Sequence, residues 1–250
     1  MTTKTIAVLS DVHSNVYALD AVLSDIARRG IDTVVNLGDT LFGPVAPVES
    51  AKRLMERSDI VSIMGNCDRA LLQEESPSLT FQQVKPLLTQ EMLEWIRTFR
   101  NAWVFEDILF CHGTPFSDEQ YLLEEVNERG ATAKNVLEVA ELLREVPQSI
   151  VVCGHTHLPR CVHLPDGKLV LNPGSVGFPA YYEDAPYPHV MEAMSPHARY
   201  AILRQTKNGW GIEQVMLPYD WEQAAKLAEK AGRPDYSHAI RTGFAYIPAE

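Results

Sequence analysis

Five short stretches carry residue types that bind divalent cations. They are Asp11-Val12-His13, Gly38-Asp39, Gly65-Asn66-Cys67-Asp68, His112-Gly113 and Gly154-His155-Thr156-His157. Imidazole, carboxylate and one carboxamide form a ligand mixture that suits Mn²⁺, Fe, Zn²⁺ or Ni²⁺ rather than Ca²⁺ or thiolate-seeking metals. In an extended segment, residues i and i+2 point the same way. Asp11 and His13 can therefore approach one ion together, and His155 and His157 can face one pocket. Glycine before Asp39, Asn66 and His155 lets the backbone turn sharply at a strand end. Each stretch alone has an ordinary explanation: a surface turn for Asp-x-His, turn chemistry for Gly-Asp, a satisfied strand-end histidine for His112. Their conjunction, in this order and each at a strand end, argues for a metal centre.

The elements that must position them are apolar runs. Residues 5–9, 33–37, 60–64, 108–111, 150–153 and 168–171 read as short buried strands, rich in Val and Ile and mostly without polar alternation. The first five run directly into the five stretches above. In an open α/β sheet, ligands gather beyond the carboxyl ends of the strands, so five strand ends aim these groups at one place. Helical patterns fall between the strands. Residues 15–29 place Val16, Leu19, Val22, Leu23 and Ile26 on one face, with Ser14 as N-cap and Gly30 as the stop. Residues 48–57, 131–146 and 221–231 are further helices, and 81–99 reads as helical, interrupted or kinked at Pro86. The Pro- and Tyr-rich stretch 178–196 reads as a long ordered loop over a site. Residues 200–203 and 210–215 read as a hairpin around Asn208-Gly209. Signals after Gly232 are weak. Strand and helix alternate, which predicts an α/β layered architecture. No linker divides the chain, so 1–250 reads as a single domain.

Composition narrows the function classes. The formal net charge of −11 repels nucleic-acid backbone and anionic membrane. A small phosphorylated substrate remains compatible, because bound cations reverse the local field. Nucleic acid and membrane are not expected partners; self-association is left open. No apolar run approaches membrane-spanning length, the N-terminal apolar stretch is too short for a signal peptide, and a cytoplasmic protein is expected. Cys67, Cys111, Cys153 and Cys161 are too few for a disulfide framework in a chain of 250 residues.

The five stretches resemble the motifs of the calcineurin-like metallophosphoesterases: Asp-x-His, Gly-Asp, Gly-Asn-His-(Asp/Glu), His and Gly-His-x-His. The resemblance covers about residues 5–177, and Asn172-Pro173-Gly174-Ser175 adds to it. The loop 178–196 and the hairpin and helix over 200–231 are appended to that core. With Cys67 in the third motif, the chain is similar to the small prokaryotic phosphodiesterase branch, which includes diadenosine-tetraphosphatase-like proteins. The resemblance implies a four-layer α/β/β/α sandwich, two mixed sheets flanked by helices, and a site for two divalent metal ions. One ion would be held by Asp11, His13, Asp39 and His157, the other by Asp39, Asn66, His112 and His155, with Asp39 bridging. Mn²⁺ is the expected metal, with Fe, Zn²⁺ or Ni²⁺ as alternatives. Asn66, Asp68 and His112 are the expected catalytic residues.

The implied reaction is hydrolysis of a phosphodiester or phosphoanhydride by metal-bound hydroxide, in line at phosphorus. Arg69 is a candidate partner for a second phosphate, and Tyr181 and Tyr182 for a base or ring. His189, in the aromatic stretch, stands apart from the ordinary His163, His197 and His238. Cys67 departs from the family pattern: a thiol is a poorer donor than imidazole, which favours substrates with acidic leaving groups. Two other readings compete. One is a phosphomonoesterase acting on protein or small molecules at the same site. The other is a metal-free scaffold of the same fold, which should have lost ligand residues, whereas every expected position here is filled.

Overall fold

The computed structural model describes residues 4–247. The chain runs β1 (Thr5–Leu9), α1 (Val16–Arg28), β2 (Thr33–Asn36), α2 (Pro47–Met55), β3 (Ile60–Ser62) and α3 (Asn66–Leu71). Next come α4 (Leu79–Val84), a 3-10 turn (Lys85–Leu87), α5 (Gln90–Arg97), β4 (Ala102–Phe105), β5 (Ile108–Cys111), β6 (Glu124–Asn127), β7 (Gly130–Ala133) and α6 (Val136–Leu142). The last part holds β8 (Ile150–Val152), β9 (Arg160–His163), β10 (Leu169–Asn172), β11 (Ala180–Glu183), β12 (His189–Glu192), β13 (Ala198–Thr206), β14 (Gly209–Leu217), α7 (Trp221–Lys230) and α8 (Pro234–Thr242).

Two mixed five-stranded sheets form the centre, in the orders β14-β13-β1-β2-β3 and β4-β5-β8-β10-β9. In the first, β1, β2 and β3 are parallel and β13 pairs antiparallel with β1. In the second, β5, β8 and β10 are parallel, with β4 and β9 antiparallel at the edges. The strands are apolar on both faces because both faces are covered. Ile6, Val8, Val35 and Leu37 of one sheet meet Ile108, Phe110 and Val152 of the other in a buried layer between them. The alternate residues Ala7, Leu9 and Val34 face Leu19, Val22 and Ile26 of α1. Leu109, Cys111, Val151 and Val170 pack on Val139 and Leu143 at α6. The result is the expected four-layer α/β/β/α sandwich.

Several local expectations are corrected. The N-cap of α1 is Asn15, whose Oδ1 accepts from Ala18 N at 3.2 Å; Ser14 instead accepts from Val45 N through its Oγ. The span 131–146 is not one helix. Its first residues form β7, paired with β6, and Asn135 then caps the shorter α6. Of the two readings of 81–99, interruption rather than a kink holds: Pro86 lies in the 3-10 turn, and Thr89 caps a new helix by accepting from Met92 N. The stretch 178–196 is a hairpin, β11–β12, held because Ala180, Tyr181 and Val190 pack against the two C-terminal helices. The weak region after Gly232 contains α8. Pro234 at its first turn and Gly243 (φ 75°) at its end were its signals. Strands β4, β6 and β9 were not anticipated. The four cysteines are free thiols, and no helix among the described residues is long and apolar enough to cross a membrane.

Candidate metal centre

The carboxyl ends of the parallel strands of both sheets deliver the candidate ligands to one spot. Asp11 and His13 follow β1, Asp39 follows β2, Asn66 opens α3 after β3, His112 follows β5, and His155 and His157 follow β8. His157 Nε2 lies 3.4 Å from Asp11 Oδ1 and 3.1 Å from His13 Nε2. His13 Nε2 lies 3.8 Å from Asp39 Oδ2. On the other side of Asp39, His112 Nε2 is 3.5 Å from the same Oδ2 and 3.0 Å from Asn66 Oδ1. The His112 and His155 rings are 5.0 Å apart between centroids. Ligand atoms of Asp11, His13 and His157 form one tight group, and those of Asp39, His112 and His155 another.

The backbone is bent to achieve this. Asp11, His13, Asp39, His155 and His157 all have positive φ, between 43° and 69°. Each such residue costs on the order of 1–3 kcal/mol and persists only where its surroundings over-determine it. Here the first two loops are tied together: Asp11 N donates to Gly38 O, His13 N to Asp39 O and Ser14 N to Thr40 O, at 3.0, 2.9 and 2.9 Å. Asp68 accepts from Asp39 N (2.8 Å), Thr40 N (2.9 Å) and Gly65 N (3.2 Å), joining the second and third loops. Ser175 Oγ donates to Asp11 O at 2.7 Å and accepts from Phe178 N at 2.8 Å, a staple beyond the simple turn its Pro-Gly-Ser setting suggests. Glycine is required at Gly65, where a Cβ would lie 2.1 Å from Asp39 Oδ1.

Hydrogen bonds to backbone carbonyls orient the imidazoles. His13 Nδ1 donates to Phe42 O (2.7 Å), His112 Nδ1 to Leu37 O (2.9 Å) and His157 Nδ1 to Phe178 O (2.5 Å). Each ring, once neutral, presents Nε2 as an acceptor to the centre. His155 is reversed: Nε2 donates to Glu119 O at 3.1 Å, leaving Nδ1 for the centre. Asp11 Oδ1 is buried with no hydrogen-bond partner. A buried carboxylate oxygen without a donor, among inward-facing imidazole acceptors, fits a cation.

Crowding sets the charge of these groups. Burial pushes Asp39 up, but the neighbouring His112 and His13 outweigh it and hold the carboxyl far below its usual range. Burial pulls His112 down, and Asp39 overrides it, leaving His112 pushed up to about 10. Burial and the charge on His112 lower His155 to about 4. Burial and Asp39 raise Asp68 to about 7, and burial with the same neighbour raises the Cys67 thiol well above its ordinary value.

Residues 5–191 match the family model of the calcineurin-like phosphoesterase superfamily domain. The chain belongs to that superfamily. It is 28% identical to the uncharacterized protein MJ0912 of Methanocaldococcus jannaschii, over 92% of this chain and 94% of that protein. It is 29% identical to the phosphodiesterase YfcE of Escherichia coli K12, over 71% of this chain and 82% of that protein. A metallophosphoesterase from Sphaerobacter thermophilus shares the fold, with a TM-score of 0.76 at 22% identity, over 97% of this chain and all of that one. The chain is thus a phosphoesterase with a candidate His/Asp metal site, in a superfamily whose members bind divalent metals.

A cavity of about 540 Å³ opens on the phosphoesterase centre, where His13, Asp39, Asn66, His155 and His157 line it. Tyr181 lines it too, edge-on to the His157 ring at 4.8 Å, with its hydroxyl donating to Tyr121 Oη at 2.9 Å. His189 Nε2 reaches the same Tyr121 hydroxyl at 3.2 Å. Arg69 is elsewhere. It forks onto Asp118 (2.7 and 3.0 Å) and reaches Glu119 (2.7 Å), and it does not line the cavity. Asp68 also stays behind the cavity wall, as a positioning residue for Asp39. Sequence reasoning missed Tyr121, Phe178, Arg233 and Tyr236 in the walls, because no spacing connects them to the motifs.

Proposed function

We propose that this chain is a dinuclear phosphodiesterase, with one cation held by Asp11, His13, Asp39 and His157 and a second by Asp39, Asn66, His112 and His155. The observation that carries this reading is the placement of Asp39 Oδ2, 3.8 Å from His13 Nε2 and 3.5 Å from His112 Nε2, between two groups of inward-facing acceptors. A carboxylate in that position suits a bridge between two ions. Mn²⁺, Fe, Zn²⁺ and Ni²⁺ all suit this imidazole, carboxylate and carboxamide mixture, and Mn²⁺ is the test ion. When bound, a pair of divalent ions supplies Lewis acidity toward a phosphoryl oxygen and lowers the pKa of water.

The chain's own residues do the rest. Asp68 and Ser175 fix the strained loops so that the donor set is preorganised, which limits reorganisation during reaction. The carbonyls of Phe42, Leu37, Phe178 and Glu119 fix the imidazole tautomers. Tyr181 and Phe178 wall the His157 ring. Cys67 stands where the family motif has an imidazole, and a thiol is the weaker hydrogen-bond donor. Leaving groups that need no proton are therefore the ones this site serves best.

The phosphodiesterase activity of the relative YfcE supports a diester over a monoester. The test is an activity screen of the whole chain with added Mn²⁺, comparing aryl mono- and diesters, cyclic nucleotides and dinucleoside polyphosphates, with Asp39→Asn as control. Hydrolysis of diesters that Asp39→Asn abolishes is the expected result. Monoesters turned over in preference to diesters would favour the phosphatase reading.

A further inference from the structure

We propose that α8 and the segment after it form the specificity wall of this site, and that the wall accepts a planar, uncharged ring attached to a single phosphate rather than a second phosphate. The inference rests on the phosphoesterase reading above and names its substrate class. The residues concerned, Gly232–Tyr236 and Tyr246, lie outside the 5–191 family match.

The cavity is far larger than a phosphoryl group needs. About 540 Å³ is the size of a small-molecule site, for which about 300–1,000 Å³ is usual. One wall, beside His13 and His157, is aromatic. The Tyr236 ring stacks on Phe178 at 3.9 Å with 8° between planes, and its other face carries the Arg233 guanidinium at 4.5 Å. That sandwich is a stiff floor. Tyr182 and Tyr246 also line the cavity; Tyr182 packs partly on the neighbouring core, and Tyr246 lies 6.0 Å from the His238 ring at 65°. Their rings add aromatic surface to the lining, and a ring prefers offset-stacked or edge-to-face partners.

The charge of this wall argues against a second phosphate. Arg233 is the sole Lys or Arg lining the cavity among the described residues. Its guanidinium is already committed, with Nε and Nη2 donating to Asp235 at 3.0 and 2.6 Å and Nη1 to Thr80 Oγ1 at 2.6 Å. Glu183 also lines the cavity. Apart from the candidate metal ligands, the lining therefore sets one paired cation against two carboxylates, Asp235 and Glu183, which repels polyphosphate and tolerates a neutral ring.

Calorimetry with non-hydrolysable phosphonates on the Mn²⁺-loaded full chain tests this, each titration corrected for Mn²⁺ binding without protein. Phenylphosphonate is expected to bind at least tenfold tighter than methylphosphonate, and methylenediphosphonate no tighter than methylphosphonate. Tyr246→Ala, at a position 40% exposed, should remove most of the phenyl advantage and leave methylphosphonate unchanged, while Tyr246→Phe keeps it. Equal affinities for phenyl- and methylphosphonate, tightest binding of the diphosphonate, or no phosphonate binding at all would overturn the proposal. The readout does not depend on turnover. Phenyl-selective binding without hydrolysis would sink the enzymatic reading alone, and hydrolysis without phenyl selectivity would sink this one alone.

Discussion

The Nε2 atoms of His13 and His157 face each other at 3.1 Å while both Nδ1 atoms donate to backbone carbonyls. Two neutral rings in those tautomers point lone pairs at one another in a buried space, and only a proton or a cation reconciles them. Chelation should therefore leave the protein less stable. Mn²⁺ at a hundred times its Kd should restore about 2.7 kcal/mol per site by linkage. Thermal denaturation with EDTA and with excess Mn²⁺ measures this. His13→Gln should melt no lower than wild type in EDTA and gain less from Mn²⁺. An Mn²⁺ response in the variant equal to that of wild type would contradict the account.

Metal uptake should be coupled to proton release. In the metal-free centre Asp39 raises His112 to about 10 against the effect of burial, so this ring carries a proton at neutral pH. His155, lowered to about 4, does not. A ligand must be deprotonated to bind, so a cation displaces the His112 proton and affinity rises with pH up to about 10. Calorimetry at pH 7.5 in two buffers of different ionisation enthalpy should report about one proton released. Mn²⁺ affinity unchanged between pH 6.5 and 8.5 would be inconsistent with this.

Away from the centre, Asp25 of α1 ties that helix to the first sheet. Its carboxylate accepts from the Tyr200 hydroxyl of β13 and from Arg29 Nε at 2.8 Å. Burial pushes Asp25 up, but these hydrogen bonds outweigh it and the carboxyl sits below its ordinary value. The folded pKa is thus lower than the unfolded one. The stabilisation is fully present above about pH 4, the unfolded value, and is lost as pH falls through the depressed folded value. Asp25→Asn should cost about 1–3 kcal/mol at pH 7. In urea denaturation the gap from wild type should narrow below pH 4. A gap that stays constant down to pH 2.5 would show that the carboxylate charge is not involved.

Without an imidazole at Cys67, rates should fall steeply as leaving-group pKa rises across a series of aryl and alkyl phosphodiesters. Cys67→His should flatten that dependence by improving the poor leaving groups most. Parallel slopes for the two proteins would mean that position 67 has no part in leaving-group departure.

The sandwich was legible in the sequence because its strands are buried on both faces. Residues 6–9, 108–111 and 150–153 are continuous apolar runs. Exposed or half-exposed strands such as β6 and β9 carry charged residues and left no such trace. Hairpin β11–β12 was obscured by its prolines, and its packing on α8 is a contact between distant parts of the chain. The candidate ligands were legible for a related reason: each stands within a few residues of a buried strand end. The walls of the cavity were not. Tyr121, Arg233 and Tyr236 come from three separate segments, and only folding relates them to the motifs.

Metal content per chain, measured by elemental analysis after reconstitution with Mn²⁺, bears most directly on Asp39 as a shared ligand. Two ions per wild-type chain are expected, with Cys67→Ala also retaining two and Asp39→Asn holding at most one, and diester hydrolysis tracking the second ion. Two tightly held ions in Asp39→Asn, or none in the wild type, would contradict it.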